Sequence, residues 1–280
     1  MNSEDKGVIR EVLFFITITL GLSWFVFWGP IAILGIPAIS FVKDVRGPTW
    51  AILLFILGGF VPSLVGIALT GFLEGRDGLR ILFRSSVQFK LGFKWYFAIL
   101  VVVLLGTMGQ IGIQYVSGKN FDYSLFLSQL PSFLPLIIIG PISEEFGWRE
   151  YLLKRLQKKW NALISSLIVG IVWSLWHLPL FFMVGTSQHE LKFPFIGFLV
   201  GLTAFSIIMT WLHNNTAGSV WTAILFHWLS TWAMQVVSTG ASRSVVYNWL
   251  EYSPYVLMAL LILLVWKPKT LSKKLGVPQK

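Results

Sequence analysis

The chain has 280 residues, 55% of them hydrophobic and only 12% charged, with a formal net charge of +10 and no cysteine. A soluble domain carries about a quarter of its residues as charges, so this composition excludes an ordinary water-soluble fold and points to an all-α polytopic membrane protein. The missing cysteines exclude disulfides, thiolate metal sites and a cysteine nucleophile.

A hydrocarbon core about 30 Å thick needs roughly 20 apolar residues of helix. Runs of that kind cover Val12 to Leu34, Thr49 to Leu73, Phe93 to Val116, Phe133 to Leu153, Ala162 to Val184, Phe193 to Leu212 and Ala217 to Val237, with a weaker eighth at Tyr252 to Trp266. The first run follows Glu4 and Asp5, and "WGPIAILGIP" after it offers no small-x-small cleavage site, so it is expected to remain as the first helix. After the second run, "GRDGLRILFRSSVQFK" spaces Arg76, Arg80 and Arg84 four apart on one helical face. That pattern predicts a helix lying along the inner leaflet against anionic headgroups. No polar linker, low-complexity tract or repeat interrupts the chain, which predicts one membrane domain over residues 1–280.

Charge placement supplies an orientation. With the N-terminus inside, sixteen of the 22 Lys and Arg fall in the inner segments, including Arg76 to Lys94, Lys154 to Lys159 and Lys267 to Lys280. Lys43, Arg46, Lys119, Lys192 and Arg243 are the outer ones, and Arg149 alone lies inside a span. The bias predicts a chain integral to the cell (cytoplasmic) membrane with both termini cytoplasmic. The net charge is thereby explained by topology, with no nucleic-acid partner.

The segment "PISEEFGWRE" breaks the apolar pattern. A charge inside a bilayer costs at least about 2.5 kcal/mol, so intramembrane ionisable residues usually face the bundle interior and mark function. Glu145 and Arg149 are four apart and pair on one helical face, whereas Glu144 is about 100° away around the helix. Two of the four histidines fall in predicted spans, His177 in "GIVWSLWHLPLFF" and His227 in "WTAILFHWLSTW". His213 and His189, at a helix end and in a loop, are expected to be solvent-exposed. A carboxylate and two imidazoles on three helices can orient water, move protons or hold a metal.

Known intramembrane chemistries impose spacings that can be checked. A helical zincin needs His and Glu adjacent and a second His four residues after the first; for His189-Glu190 that place is Phe193. An aspartyl site needs two membrane aspartates, and Asp5, Asp44, Asp77 and Asp122 all lie outside the runs. No glycine-flanked serine in a span stands out as a nucleophile.

The order Glu144-Glu145-x-x-x-Arg149, then Trp173-x-x-x-His177, then "NNTAGSVWTAILFH" leading to His227 resembles the CAAX prenyl endopeptidase and bacteriocin-processing (CPBP, or Abi) family of intramembrane proteases. The resemblance covers residues 131–232, the expected catalytic core. It implies about eight transmembrane helices around an intramembrane cavity open to the cytoplasm, and hydrolysis of a peptide bond in a membrane-associated or prenylated peptide. In that reading Glu144 and His177 hold and deprotonate water, His227 and Thr231 stabilise the oxyanion, and Glu145 and Arg149 are structural support. Two positions depart from the family pattern. Trp173 stands where Phe is usual, and Thr231 where Asn or Asp is usual. The cofactor question has two answers: Glu144, His177 and His227 match a three-ligand Zn site, and the same residues serve without metal, which is the preferred reading. The implied partners are membrane lipids and the peptide substrate. A non-catalytic scaffold or bacteriocin-immunity protein of the same fold, or a proton-coupled transporter, is the alternative; the two related halves of interrupted helices that many transporters show are not evident.

Overall fold

A computed structural model describes residues 3–37, 47–118, 127–239 and 245–272 of the chain. Lys43, Arg46, Lys119, Arg243, Lys273, Lys274 and Lys280 of the charge count, with Asp44 and Asp122, lie outside the described residues. The described chain is all-helical, with no strand among the described residues. Among the described residues five helices are long and apolar enough to cross a membrane: Asp5–Leu34, Thr49–Ser86, Phe93–Val116, Phe195–Asn215 and Val245–Val265. The protein is an integral membrane protein.

Local chemistry sets where these helices bend and stop. Thr49–Ser86 is a single run only nominally, because Gly75 adopts φ 65°, ψ −154° and divides it. A left-handed φ of this kind is open to glycine at little cost, so the spanning part ends at Glu74 and a second helix leaves at an angle. On that second helix Gly78 and Leu82 are buried while Arg76, Arg80 and Arg84 are exposed, as their spacing predicts. Ala162–Trp176 starts at Asn161, whose side chain accepts a hydrogen bond from the Ile164 N–H. It stops at His177, since Leu178-Pro179 can neither stay α-helical before proline nor donate a backbone bond, and a 3₁₀ turn follows over Leu178–Phe181. The expected span Ala162 to Val184 is thus shorter than read, and His177 caps a helix end instead of lying within a helix.

The expected span Phe133 to Leu153 is helical, but two wide π segments, Ile138–Ile142 and Phe146–Leu153, flank the single α turn Ser143–Glu145. Pro141 lies in the first of them and withholds a helix donor. Such π turns are frequent at functional positions. This helix packs against Thr49–Ser86 by backbone contact, because a Cβ at Gly147 would run into the Pro62 backbone and one at Gly66 would stand 3.0 Å from the Gly147 Cα. Small residues permit that approach.

Large aromatics fill the remaining space: Phe15 stacks on Tyr151 and meets Trp148 edge-on, and Trp148 meets Trp176. At one end of the bundle an ionic network joins three segments. Arg155 reaches Glu11 at 2.8 Å and Glu74 at 2.5 Å, and Lys159 reaches Asp5 at 3.2 Å. The backbone near Lys269 closes the same end, with the Ala162 N–H bonded to the Lys269 carbonyl and Asn214 Nδ2 to the Thr270 carbonyl.

Candidate active site

Glu144, His177, His227 and Thr231 come from three separate helical segments, and all four line one cavity of about 260 Å³. The α turn Ser143–Glu145 presents its two carboxylates in different directions. Glu144 faces the cavity and its Oε2 accepts a 2.5 Å hydrogen bond from Trp173 Nε1. Glu145 faces the neighbouring helices, where Oε2 lies 2.9 Å from Arg149 Nη1, both side chains fully buried. The pair expected from four-residue spacing is therefore formed, and Glu144 points elsewhere as expected.

Glu145 does more than neutralise Arg149. Its other oxygen, Oε1, accepts from His227 Nδ1 at 2.7 Å. A carboxylate that only accepts places a proton on Nδ1, leaving Nε2 directed at the cavity. Gly140 stands before that nitrogen, since a Cβ added there would begin 3.9 Å from His227 Nε2. His177 is oriented in the same manner by its own helix: Nδ1 donates to the Trp173 carbonyl at 2.8 Å, so a neutral ring offers Nε2 as an acceptor. Each imidazole thus has one nitrogen anchored and one available.

Trp173 touches Glu144, His177, His227 and Arg149. Its indole donates to Glu144, its carbonyl holds His177, its ring meets His227 edge-on at 5.2 Å, and the Arg149 guanidinium lies over it at 4.7 Å. On the sequence the exchange of Phe for Trp reads as mild; in three dimensions it adds a donor that Phe lacks. Behind His177, Trp24 Nε1 donates to the Trp176 carbonyl at 3.3 Å and Trp176 Nε1 to Ser23 Oγ at 2.7 Å, which fixes the helix end from the first span.

The remaining sequence expectations divide. His213, expected to be exposed, is 4% exposed; Asn214, which contacts its Nδ1, is tied to the Thr270 backbone that covers this helix end. His189 is half-buried with Nδ1 bonded to the Phe181 carbonyl at 3.1 Å. Glu150 is buried and ion-paired with Lys154. Glu251, absent from the sequence expectations, is fully buried in the cavity wall. It lies between two apolar helices, where a single acidic residue carries no spacing signal. Among the described residues no group of three or more His, Asp or Glu side chains converges as a metal-binding set.

A carboxylate, two oriented imidazoles and a hydroxyl around a small chamber suit activation of one water and stabilisation of one developing negative charge. Comparison with known proteins agrees in kind. Residues 126–233 match the model of the family described as type II CAAX prenyl endopeptidase Rce1-like. The chain is 30% identical over 165 residues to CAAX prenyl protease 2 of Methanococcus maripaludis, covering 56% of this chain and 59% of that protein. It is also 30% identical over 137 residues to lysostaphin resistance protein A of Staphylococcus haemolyticus, covering 46% of this chain and 35% of that protein. The chain therefore matches less than two thirds of the length of these curated relatives.

Proposed function

We propose, from the match of residues 126–233 to the Rce1-like family model and the similarity to CAAX prenyl protease 2, that the chain is an intramembrane endopeptidase of that family that hydrolyses a peptide bond of a membrane-associated or lipidated peptide. The observation that carries this reading is the convergence of Glu144, His177, His227 and Thr231 on one cavity. Glu144 takes the proton of a water oriented by His177 Nε2, and the hydroxide attacks the scissile carbonyl. The oxyanion is met by the Thr231 hydroxyl and by the His227 ring, which Glu145 holds through Nδ1 at 2.7 Å. Glu144 then returns its proton to the leaving amine. Glu145 and Arg149 are positioning residues. Each of these steps is assigned to side chains of the chain itself. The test is cleavage of a peptide library by the detergent-purified protein in the presence of a strong chelator. Products from the unmodified protein support the reading; a library left intact with and without added divalent metal rejects it.

Trp173 and Thr231 give two further expectations. A hydrogen bond to a charged group contributes about 1.5–3 kcal/mol, so Trp173→Phe, which deletes the indole donor to Glu144, should lower kcat about 10- to 100-fold while the protein stays folded. Unchanged kcat would show that the indole does not orient the base. Thr231 lies one helical turn after His227 and offers one hydroxyl donor on a shorter side chain than Asn. Thr231→Val should reduce turnover about 10- to 1,000-fold, and Thr231→Asn should preserve or raise it, as measured on the same peptide.

A second reading, a non-catalytic scaffold of the same fold, is favoured by Thr231 at the position where the family pattern has Asn or Asp, and by the similarity to lysostaphin resistance protein A. An inactive unmodified protein that gains cleavage on Thr231→Asn would select it.

A further inference from the structure

Helix ends from across the bundle meet around a second cavity of about 820 Å³, separate from the one that holds Glu144. Its wall takes in the stretch around the bend at Gly75, the helix Lys154–Gln157, the end of Phe195–Asn215 with the turn after it, and the backbone from Lys269 that follows Ser253–Val265. The volume falls in the range of about 300–1,000 Å³ that small-ligand sites occupy. None of Glu144, His177, His227 and Thr231 lines it, so the peptidase reading leaves this space without a use.

The wall holds more cation than anion. Lys154, Arg155, Lys158 and Lys269 line it against two carboxylates, Glu74 and Glu150. Lys154 is paired with Glu150, and Arg155 with Glu74 and with Glu11. Lys158 and Lys269 are exposed and have no ion-pair partner among the described residues. Basic pockets between spanning helices attract the phosphate of lipid headgroups.

His213 adds a polar atom that the wall does not satisfy. Its Nδ1 donates to Asn214 Oδ1 at 3.3 Å. Asn214 sets that direction: its Nδ2 donates to Gln157 Oε1 at 2.8 Å and to the Thr270 carbonyl at 2.9 Å, so the oxygen of the same amide accepts. On a neutral ring Nε2 is then an acceptor, and it is buried without a partner. A buried polar atom of this kind is usually met by an ordered water or a ligand. Gly218 leaves room in front of it, because a Cβ there would stand 3.8 Å from Nε2 and 4.0 Å from Lys154 Cε. The Lys154 side chain, about a third exposed, is the movable group beside the nitrogen, and its rotation toward an anion uncovers Nε2.

We propose that this chamber is a phosphate-binding site, in which the ammonium groups of Lys154, Lys158 and Lys269 donate to phosphate oxygens and a hydroxyl of the ligand donates to His213 Nε2. The chemistry recognised is an anionic phosphate that carries an O–H donor. Hydrogen phosphate free in solution has both features, and so does the phosphatidylglycerol headgroup of a membrane. A ligand held in this way ties together the helix ends that enclose the chamber, and its binding does not depend on peptide hydrolysis.

The test uses two pairs of probes that match in charge and differ in the hydroxyl. The full chain, purified in non-ionic detergent and stripped of lipid, is titrated calorimetrically at neutral pH with inorganic phosphate and with sulfate at equal ionic strength. In the second arm it is offered phosphatidylglycerol or phosphatidylmethanol, an anionic diester without a free hydroxyl, and retained lipid is counted by native mass spectrometry. The expected result is a preference of about 10-fold or more for the hydroxyl-bearing member of at least one pair. Preference for phosphate over sulfate assigns the site to a free phosphate; preference confined to the lipid pair assigns it to a headgroup. Lys158→Gln combined with Lys269→Gln should weaken the preferred ligand about 10- to 100-fold and leave the unfolding temperature of the ligand-free protein unchanged. His213→Asn, whose amide keeps a donor for Asn214 but has nothing at Nε2, should erase the preference; if that variant does not fold, the paired comparison on the unmodified protein decides. No binding, equal binding within both pairs, or binding that survives the loss of both lysines overturns the proposal.

Discussion

Glu144→Gln is expected to abolish peptide cleavage, with a loss of about 100- to 10,000-fold, the range general acid–base catalysis supplies, while the protein folds and purifies as before. Glutamine keeps the shape of the side chain and an oxygen able to accept the Trp173 indole bond observed at 2.5 Å, but it cannot take a proton from water. Little packing is removed, so thermal unfolding in detergent should move by no more than a surface substitution would move it. Cleavage persisting at the original rate would place the base elsewhere, with Glu251 in the same cavity wall the next carboxylate to replace.

Glu145→Ala is expected to fail in the opposite sense, first in stability and then in turnover. The Glu145 carboxylate contacts both Arg149 Nη1 and His227 Nδ1. Breaking a buried pair by removing one partner costs about 3–5 kcal/mol, because the remaining charge stays buried without compensation. The Met209 sulfur at 3.0 Å and the Trp173 face are weak substitutes for Arg149. Replacing both members with apolar groups is often nearly neutral, so Glu145→Ala combined with Arg149→Met should recover most of the lost thermal stability. Turnover of the double variant should nevertheless stay low, since His227 has lost the acceptor that fixes its Nδ1 proton. Full recovery of turnover with stability would show that Glu145 acts only through Arg149.

The Glu145–Arg149 pair was legible in the sequence because residues four apart on a helix are neighbours wherever the helix is placed. The bond from Glu145 to His227 was not, since it joins residues 82 positions apart and depends on how two helices are rotated against each other. Trp173 shows the same limit. Its position in the motif was plain, but its donation to Glu144 depends on the depth at which Ala162–Trp176 packs. His213 was misjudged because its place near a helix end suggests water, whereas the backbone around Lys269 and Thr270 folds over that end and covers it.

Hydropathy and charge placement by themselves determined that this chain lives in a membrane, where its long apolar helices run and which helix end carries the basic residues, because the cost of charge and unpaired backbone in hydrocarbon acts on each segment separately. The motif spacings likewise singled out Glu144, Glu145, Arg149, His177, His227 and Thr231. Only the tertiary structure decided that His177 caps a helix, that Trp173 and Glu145 hold other members of the site, and that Glu251 stands in the same cavity wall. Those features arise from side chains of different helices meeting in space, and a property of pairs of helices leaves no periodicity in either one.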